Sequence, residues 1–352
     1  MRLLKLCLLI TILLASFYGT TRWFRNSYVK RPPVPNFDGR VFLNDAGETL
    51  SPLDRLQGLF QRTGATWPDA GIIYPTRIPQ KRLPPHKVEV TYVGHATFLL
   101  QIGGKNILTN PMWGDRASSV TFMGPKRLTQ PGIKIDDLPP IDYVLISDNQ
   151  YDHMDSETIK QLITRDWPTF ITFYGNDALI KKNHPRAHVI PFGWWGETHF
   201  DDGEAPLKII GCPAHHSSSR HFLDRDKALW GGFMIKTPKH RIYFSGGTGY
   251  HHGKHFRMIQ AKLGRPDIAI LPLGSYEPRR IMQPFHMNPD DAVKAHRDLG
   301  ARLSIGMQFD VFGLGDEAYH QAEADLSIAR VLNKVPADDF MALTPGRFVA
   351  LP

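Results

Sequence analysis

Beyond residue 86 the apolar positions fall mostly into short runs or alternate with polar ones. Val88, Val90 and Tyr92 alternate, and Phe98 to Ile102 faces Ile107 and Leu108 across Gly103-Gly104, which predicts a hairpin. The run from Tyr143 to Ile146 predicts a buried strand that stops abruptly at polar residues. Further strands are expected at 170–173, 188–190, 207–211, 233–236, 241–245, 268–273 and 302–307. Asp155, Ser156 and Glu157 open a capped amphipathic helix with Ile159, Leu162 and Ile163 on one face. The clearest helix runs from Asn288 as cap, through Pro289, Asp290 and Asp291, to a closing Gly300. Strands with interspersed helices predict a layered α/β sandwich.

The first 85 residues follow other patterns. In residues 1–31, Arg2 and Lys5 precede an apolar run from Leu6 to Tyr18, and Arg22, Arg25, Lys30 and Arg31 follow it. This predicts a signal-anchor, although the run is shorter than the roughly 20 residues of a full span. No clear small-x-small triplet follows, so an uncleaved membrane anchor is expected, with a cleaved signal and a secreted or periplasmic product as the alternative. Residues 32–85 are rich in Pro and Gly and predict an extended arm on the main domain, with one short helix near 53–61. The main domain is then 86–352.

Composition narrows the class. The 42% hydrophobic and 22% charged content is that of a folded globular chain. Its 42 basic and 34 acidic residues leave +8, which suits a basic solvated surface or attraction to anionic headgroups and phosphates. No basic block with interleaved aromatics points to nucleic acid. The two cysteines, Cys7 and Cys212, offer neither a zinc knuckle nor an expected disulfide, so any metal must come from His and carboxylates.

The polar cluster ending the Tyr143–Ile146 run is Asp148-x-Gln150-x-Asp152-His153. It resembles the His-x-His-x-Asp-His signature of the metallo-β-lactamase superfamily. From about 86 to 318 the chain is similar to the N-acylphosphatidylethanolamine phospholipase D branch of that family. The similarity runs through Gly94-His95-Ala96-Thr97-Phe98-Leu99, Asp115-Arg116-Ala117-Ser118, Gly124-Pro125-Lys126-Arg127, Pro213-Ala214-His215-His216-Ser217, Leu229-Trp230-Gly231-Gly232-Phe233, Gly246-Gly247-Thr248-Gly249-Tyr250 and His286-Met287-Asn288-Pro289. The resemblance implies an αββα sandwich of two mixed β-sheets flanked by helices. It also implies a hydrolase of phosphodiester or phospholipid-like substrates, in which two zinc ions share seven ligands and activate a bridging hydroxide.

Carried onto this chain, the seven ligand positions are 148, 150, 152, 153, 216, 247 and 308. Asp152, His153 and His216 match. The first two histidines of the signature are Asp148 and Gln150, the bridging aspartate is Gly247, and the last histidine, usually before Trp-Gly-Thr-Phe, is Gln308 in Gln308-Phe309-Asp310-Val311-Phe312. Neutral glutamine oxygens are poor zinc ligands and glycine has none, so a dinuclear site is not expected. Two readings remain. In one, a single ion is held by Asp148, Asp152, His153 and His216, with Asp152 and His153 at the reaction centre. In the other, the pocket is metal-free: Asp148 pairs with His216 or His153, and Gln150 bonds Gln308. Correspondingly the chain is either a reduced phosphodiesterase or a non-catalytic, membrane-associated binder of lipid or protein.

His95 and His286 match positions beside the family's pocket and are expected to face substrate, or, for His95, to be bonded to backbone. His215 reads as a structural neighbour. His251, His252 and His255 read as loop histidines, with a replacement metal site as the sharper alternative, and Trp194-Trp195 as packing. No Gly-x-Ser-x-Gly elbow or phosphate-cradling loop is present.

Overall fold

The computed structural model describes Thr11 and residues 34–45, 65, 67–68, 71–120, 122–201, 205–221 and 224–351. The expected anchor, Thr11 apart, and the expected helix near 53–61 lie outside the described residues. No helix among the described residues is long and apolar enough to cross a membrane.

The strands are β1 Val88–Gly94, β2 Thr97–Ile102, β3 Lys105–Thr109, β4 Tyr143–Ile146, β5 Thr169–Phe173, β6 Val189–Phe192, β7 Glu197–Phe200, β8 Leu207–Cys212, β9 Gly232–Lys236, β10 Arg241–Phe244, β11 Ile268–Pro272, β12 Leu303–Met307, β13 Phe340–Met341 and β14 Phe348–Leu351. The helices are α1 Ser156–Asp166, α2 Asn176–Asn183, α3 Lys254–Leu263, α4 Arg279–Met282, α5 Pro289–Leu299 and α6 Gln321–Asn333. One sheet runs β14-β1-β2-β3-β4-β5-β6 and the other β13-β12-β11-β10-β9-β8-β7. In each, an antiparallel meander continues into parallel strands, the change falling at β3–β4 in the first and β10–β11 in the second. This is the expected sandwich of two mixed sheets.

The two faces of β4 show how the layers form. Tyr143 and Leu145 enter the core shared by both sheets, whereas Val144 and Ile146 pack beneath Ile159, Leu162 and Ile163 of α1. A strand covered on both sides reads as a continuous apolar run, because its period-2 faces are both buried. Helix α1 starts at Asp155, whose carboxylate accepts from the Thr158 amide, and α5 starts at Asn288, which accepts from Asp291. Both caps are the expected ones.

The expected strands form, with ends moved by a residue or two. At 188–190 the strand shifts to Val189–Phe192 and includes Pro191, which is tolerated because β6 is an edge strand. The hydrophobic pattern did not predict β7 and β14, edge strands with only partial burial, the two-residue β13, or α2, α3, α4 and α6. In the arm, Phe37 bridges to Phe42, which is buried in the inter-sheet core, and Ile72 bridges to Thr129. Arg77 pairs with Glu89 at 2.6 Å and Arg82 with Asp142. Residues 34–45 turn back on themselves through the Phe37–Phe42 bridge, while residues 71–85 hold no regular element and contact the sandwich.

Candidate functional site

The polar loops that follow β4, β8, β10 and β12 meet at one edge of the sandwich, together with the β1–β2 turn and the α4–α5 connection. The β4 loop is held from behind. Asn110, just past β3, accepts from the Ser147 amide at 2.9 Å and donates to Ser147 Oγ at 2.9 Å. Ser147 Oγ in turn donates to Asp148 Oδ2 at 2.7 Å, and the Gln150 amide reaches Asp148 Oδ1 at 3.0 Å. Asp148 is fully buried, so each lone pair needs such a partner.

Asp148 Oδ2 lies 2.6 Å from His153 Nδ1, and Asp152 Oδ2 lies 3.4 Å from His153 Nε2. Burial opposes a charge on His153, but the two carboxylates outweigh it and raise the ring to about 9. His153 is therefore an imidazolium between two carboxylates, each held below its usual range by that charge despite burial. His95 approaches Asp152 from the β1–β2 turn, with Nε2 2.7 Å from Oδ2. Burial pushes His95 down, so it is neutral and donates this hydrogen bond.

Gln308, the first residue past β12, places its amide nitrogen 2.6 Å from His153 Nε2, and its oxygen is buried without a partner. Two N–H groups cannot share one bond. Turning the isosteric amide over puts Oε1 against the imidazolium Nε2–H and satisfies both groups.

The opposite side is built from histidines alone. His216 Nδ1 lies 2.9 Å from the Phe285 carbonyl, and His215 Nδ1 lies 2.6 Å from that of Pro284. The His216 Nε2 is 3.3 Å from Gln150 Nε2. Burial lowers the His216 pKa, leaving a neutral ring that donates through Nδ1 and accepts from Gln150. His286 packs edge-on to His216, ring centres 5.5 Å apart, and is also pushed down by burial and by that neighbour. The His216 ring lies directly over Gly247: a Cβ there would meet Nε2 at 2.7 Å.

These distances decide between the sequence-level alternatives for hydrogen bonding. Asp148 pairs with His153. The two glutamines do not pair with each other as expected: Gln150 turns to His216 and Gln308 to His153. In the pocket, among the described residues, the ligating atoms that converge within 4.8 Å are those of His95, Asp152 and His153. Asp148 is engaged by His153 and Ser147, and His216 faces Gln150. The two-zinc set does not fit these residues, since Gly247 supplies no bridging carboxylate and a glutamine amide covers each remaining Nε2.

Other expectations are corrected. His255 is not an exposed loop residue: it is buried on α3 and lies 3.3 Å from Asp45. His251 stacks on His215 with ring centres 4.4 Å apart. Among the described residues the 251, 252 and 255 trio forms no converging ligand group. Trp194 and Trp195 do more than fill the core: both line a cavity of about 410 Å³ beside the arm. Sequence reasoning missed Asn44 of the arm, whose amide donates to the His216 carbonyl at 2.8 Å and accepts from its N–H at 3.1 Å. No local signal marks Asn44, which is 172 residues away.

A sequence profile of the β-lactamase superfamily domain matches residues 105–307. N-acyl-phosphatidylethanolamine-hydrolyzing phospholipase D 1 of Caenorhabditis elegans is 36% identical over 241 residues, 67% of each chain. An uncharacterized protein of Mycobacterium tuberculosis is 33% identical over 291 residues, 80% of this chain and 75% of its own. Among solved structures, the isothiocyanate hydrolase from Delia radicum gut bacteria superposes with TM-score 0.58 at 19% identity over 75% of this chain and 99% of that one. The metallo hydrolase Igni18 from Ignicoccus hospitalis gives 0.55 at 20% over 76% and 99%. Both share the fold. The chain belongs to the metallo-β-lactamase superfamily, a family of metal-dependent hydrolases, in the branch of the N-acylphosphatidylethanolamine-hydrolysing phospholipases D.

Proposed function

We propose that this chain binds a phospholipid-like phosphodiester at the pocket edge and has lost the two-zinc hydrolysis of its relatives. One observation carries the reading. Metal-binding histidines commonly use one ring nitrogen for the ion and anchor the other on a carboxylate or carbonyl. His153 and His216 keep such anchors, on Asp148 and on the Phe285 carbonyl, but the second nitrogen of each faces a glutamine amide. Those amides complete the pocket's hydrogen bonding where a metal would otherwise be coordinated.

His286 remains as a neutral group able to meet a phosphate or headgroup, whereas His95 is fully buried against Asp152, and the basic balance of +8 favours anionic surfaces. An uncleaved anchor in residues 1–31 would keep the domain beside lipid; cell fractionation that found the chain free of membrane would remove this part of the reading. A second reading rests on the convergence of His95, Asp152 and His153: one zinc, iron or manganese ion held there, with Asp152 and His153 as its retained ligands.

The deciding experiment uses the full-length chain in detergent, purified without chelator. Metal content and hydrolysis of N-acylphosphatidylethanolamine are measured for wild type, Asp152→Asn, and a variant with Asp148→His, Gln150→His, Gly247→Asp and Gln308→His. The proposal expects wild type and Asp152→Asn to carry the same metal content and neither to hydrolyse the lipid, while wild type binds vesicles containing it. Loss of an ion in Asp152→Asn would establish the single-metal reading instead. Gain of metal and activity in the restored variant would show that the lipid-binding architecture was intact.

A further inference from the structure

A second cluster of ligand-type side chains lies outside the pocket. Asp310, His320 and Glu323 bring their ligating atoms within 4.8 Å of one another. His320 Nδ1 is 2.9 Å from Asp310 Oδ2 and 2.8 Å from Glu323 Oε2. Asp310 follows β12 by three residues, His320 caps α6, and Glu323 lies in the first turn of that helix.

The hydrogen bonding of this cluster is incomplete. Asp310 Oδ1 accepts from the His320 amide at 2.9 Å. Asp310 Oδ2 is buried and accepts no hydrogen bond, although His320 Nδ1 is close by, because that nitrogen bonds to Glu323. A cavity of about 10 Å³ is lined by Asp310, Glu323, Thr129, Tyr74 and Tyr92. That is about the size of one water or one ion. Tyr92 is 1% exposed, and its hydroxyl has no hydrogen-bond partner. A buried carboxylate oxygen and a buried phenol, both unsatisfied around a single-atom space, point to an occupant.

We propose that Asp310, His320 and Glu323 bind one divalent transition-metal ion of the zinc or manganese class, separately from the pocket. One imidazole and two carboxylates are ordinary donors for such an ion, and a fourth position stays open. Tetrahedral zinc with ligands at about 2.0–2.1 Å separates its donors by roughly 3.3 Å, so the observed spacings need to widen by only about half an ångström. The partial exposure of His320 and Glu323 leaves a route of entry, and the ion's charge would offset that of the buried Asp310. Bound there, it would tie the loop carrying Gln308 to the first turn of α6, making the ion a structural clamp on one wall of the pocket. The expected count of one ion rests on the reading that the pocket itself holds no metal.

The test loads the full-length chain with zinc alone, removes excess by dialysis, and counts ions by mass spectrometry in wild type, His320→Ala, Glu323→Gln and Asp152→Asn. We expect one ion per chain in wild type and in Asp152→Asn, and its loss in both His320→Ala and Glu323→Gln. Affinity should fall by more than the roughly 10- to 100-fold that loss of a supporting hydrogen bond costs. Both altered side chains are partly exposed, and circular dichroism checks that each variant is folded. Wild type without zinc after loading, or zinc retained in His320→Ala and Glu323→Gln, would overturn the proposal. So would an ion lost only in Asp152→Asn, which would place it in the pocket.

Discussion

The two walls of the pocket use the same residue type to opposite ends. On the wall built by the β4 loop, His153 lies between Asp148 and Asp152 and is held charged, with its pKa raised to about 9. On the wall built by the β8 loop and the α4–α5 connection, His216 meets the Phe285 carbonyl and packs against His286, and burial keeps both neutral. Their glutamines differ accordingly: Gln308 accepts from an imidazolium, while Gln150 donates to an imidazole. Neighbouring groups, not residue identity, decide the charge of a buried histidine.

The strongest way to break this contrast is Asp148→Asn. It leaves His153 buried with one carboxylate fewer, and removing one partner of a buried pair costs about 3–5 kcal/mol. A urea midpoint unchanged from wild type would show that the pair contributes nothing. A pH series comes next in size. His153 is raised above its unfolded value of 6.5, so its contribution, at most about 3 kcal/mol, is complete below pH 6.5 and is lost as pH rises through about 9. His216 and His286 are depressed, so they have the opposite sign: stability is lost as pH falls below 6.5, because the unfolded chain takes up their protons first. Stability should therefore peak near pH 6.5, and Asp148→Asn should flatten the alkaline side. A loss confined to the acid side would contradict the charge assigned to His153.

Gly247→Asp alone sharpens the contrast from the other wall. Its Cβ would meet His216 Nε2 at 2.7 Å, and overpacking of this kind costs about 1–3 kcal/mol. The loss should largely disappear when His216→Ala is added; additive losses would mean that the two do not touch. Smallest is Asn44→Ala, which removes two hydrogen bonds to the His216 backbone and is expected to cost about 1–2 kcal/mol by thermal denaturation. Wild-type stability in that variant would show that the arm does not brace the site.

Much of the fold was legible because strands and caps announce themselves locally. Tyr143–Ile146 was readable as a run buried on both faces, and Asn288 with Pro289 and Gly300 marked α5 to the residue. The missed β7, β13 and β14 and the missed helices lack that signature: β7 and β14 are half exposed and β13 has two residues, so pairing with a neighbour rather than local pattern creates these strands. At the site, the motif around Asp148 to His153 identified the loop, but the partners of its side chains did not follow from spacing. Gln308 and Gln150 looked suited to each other and instead each met a histidine, because the β12 and β8 loops approach the β4 loop from different sides. His255 was misread for a related reason, since its helix begins only after three residues with no helical pattern.

The sequence alone determined the layered class, the family and the loop that carries the site, since each is written in residue identity or in short-range periodicity. Only the tertiary structure decided which groups share protons and which can converge on an ion. Gln308 and His153 are 155 residues apart, and Gln150 and His216 are 66 apart. Their contacts depend on how two sheets pack, and hydrogen bonds formed after such packing leave no periodic trace along the chain.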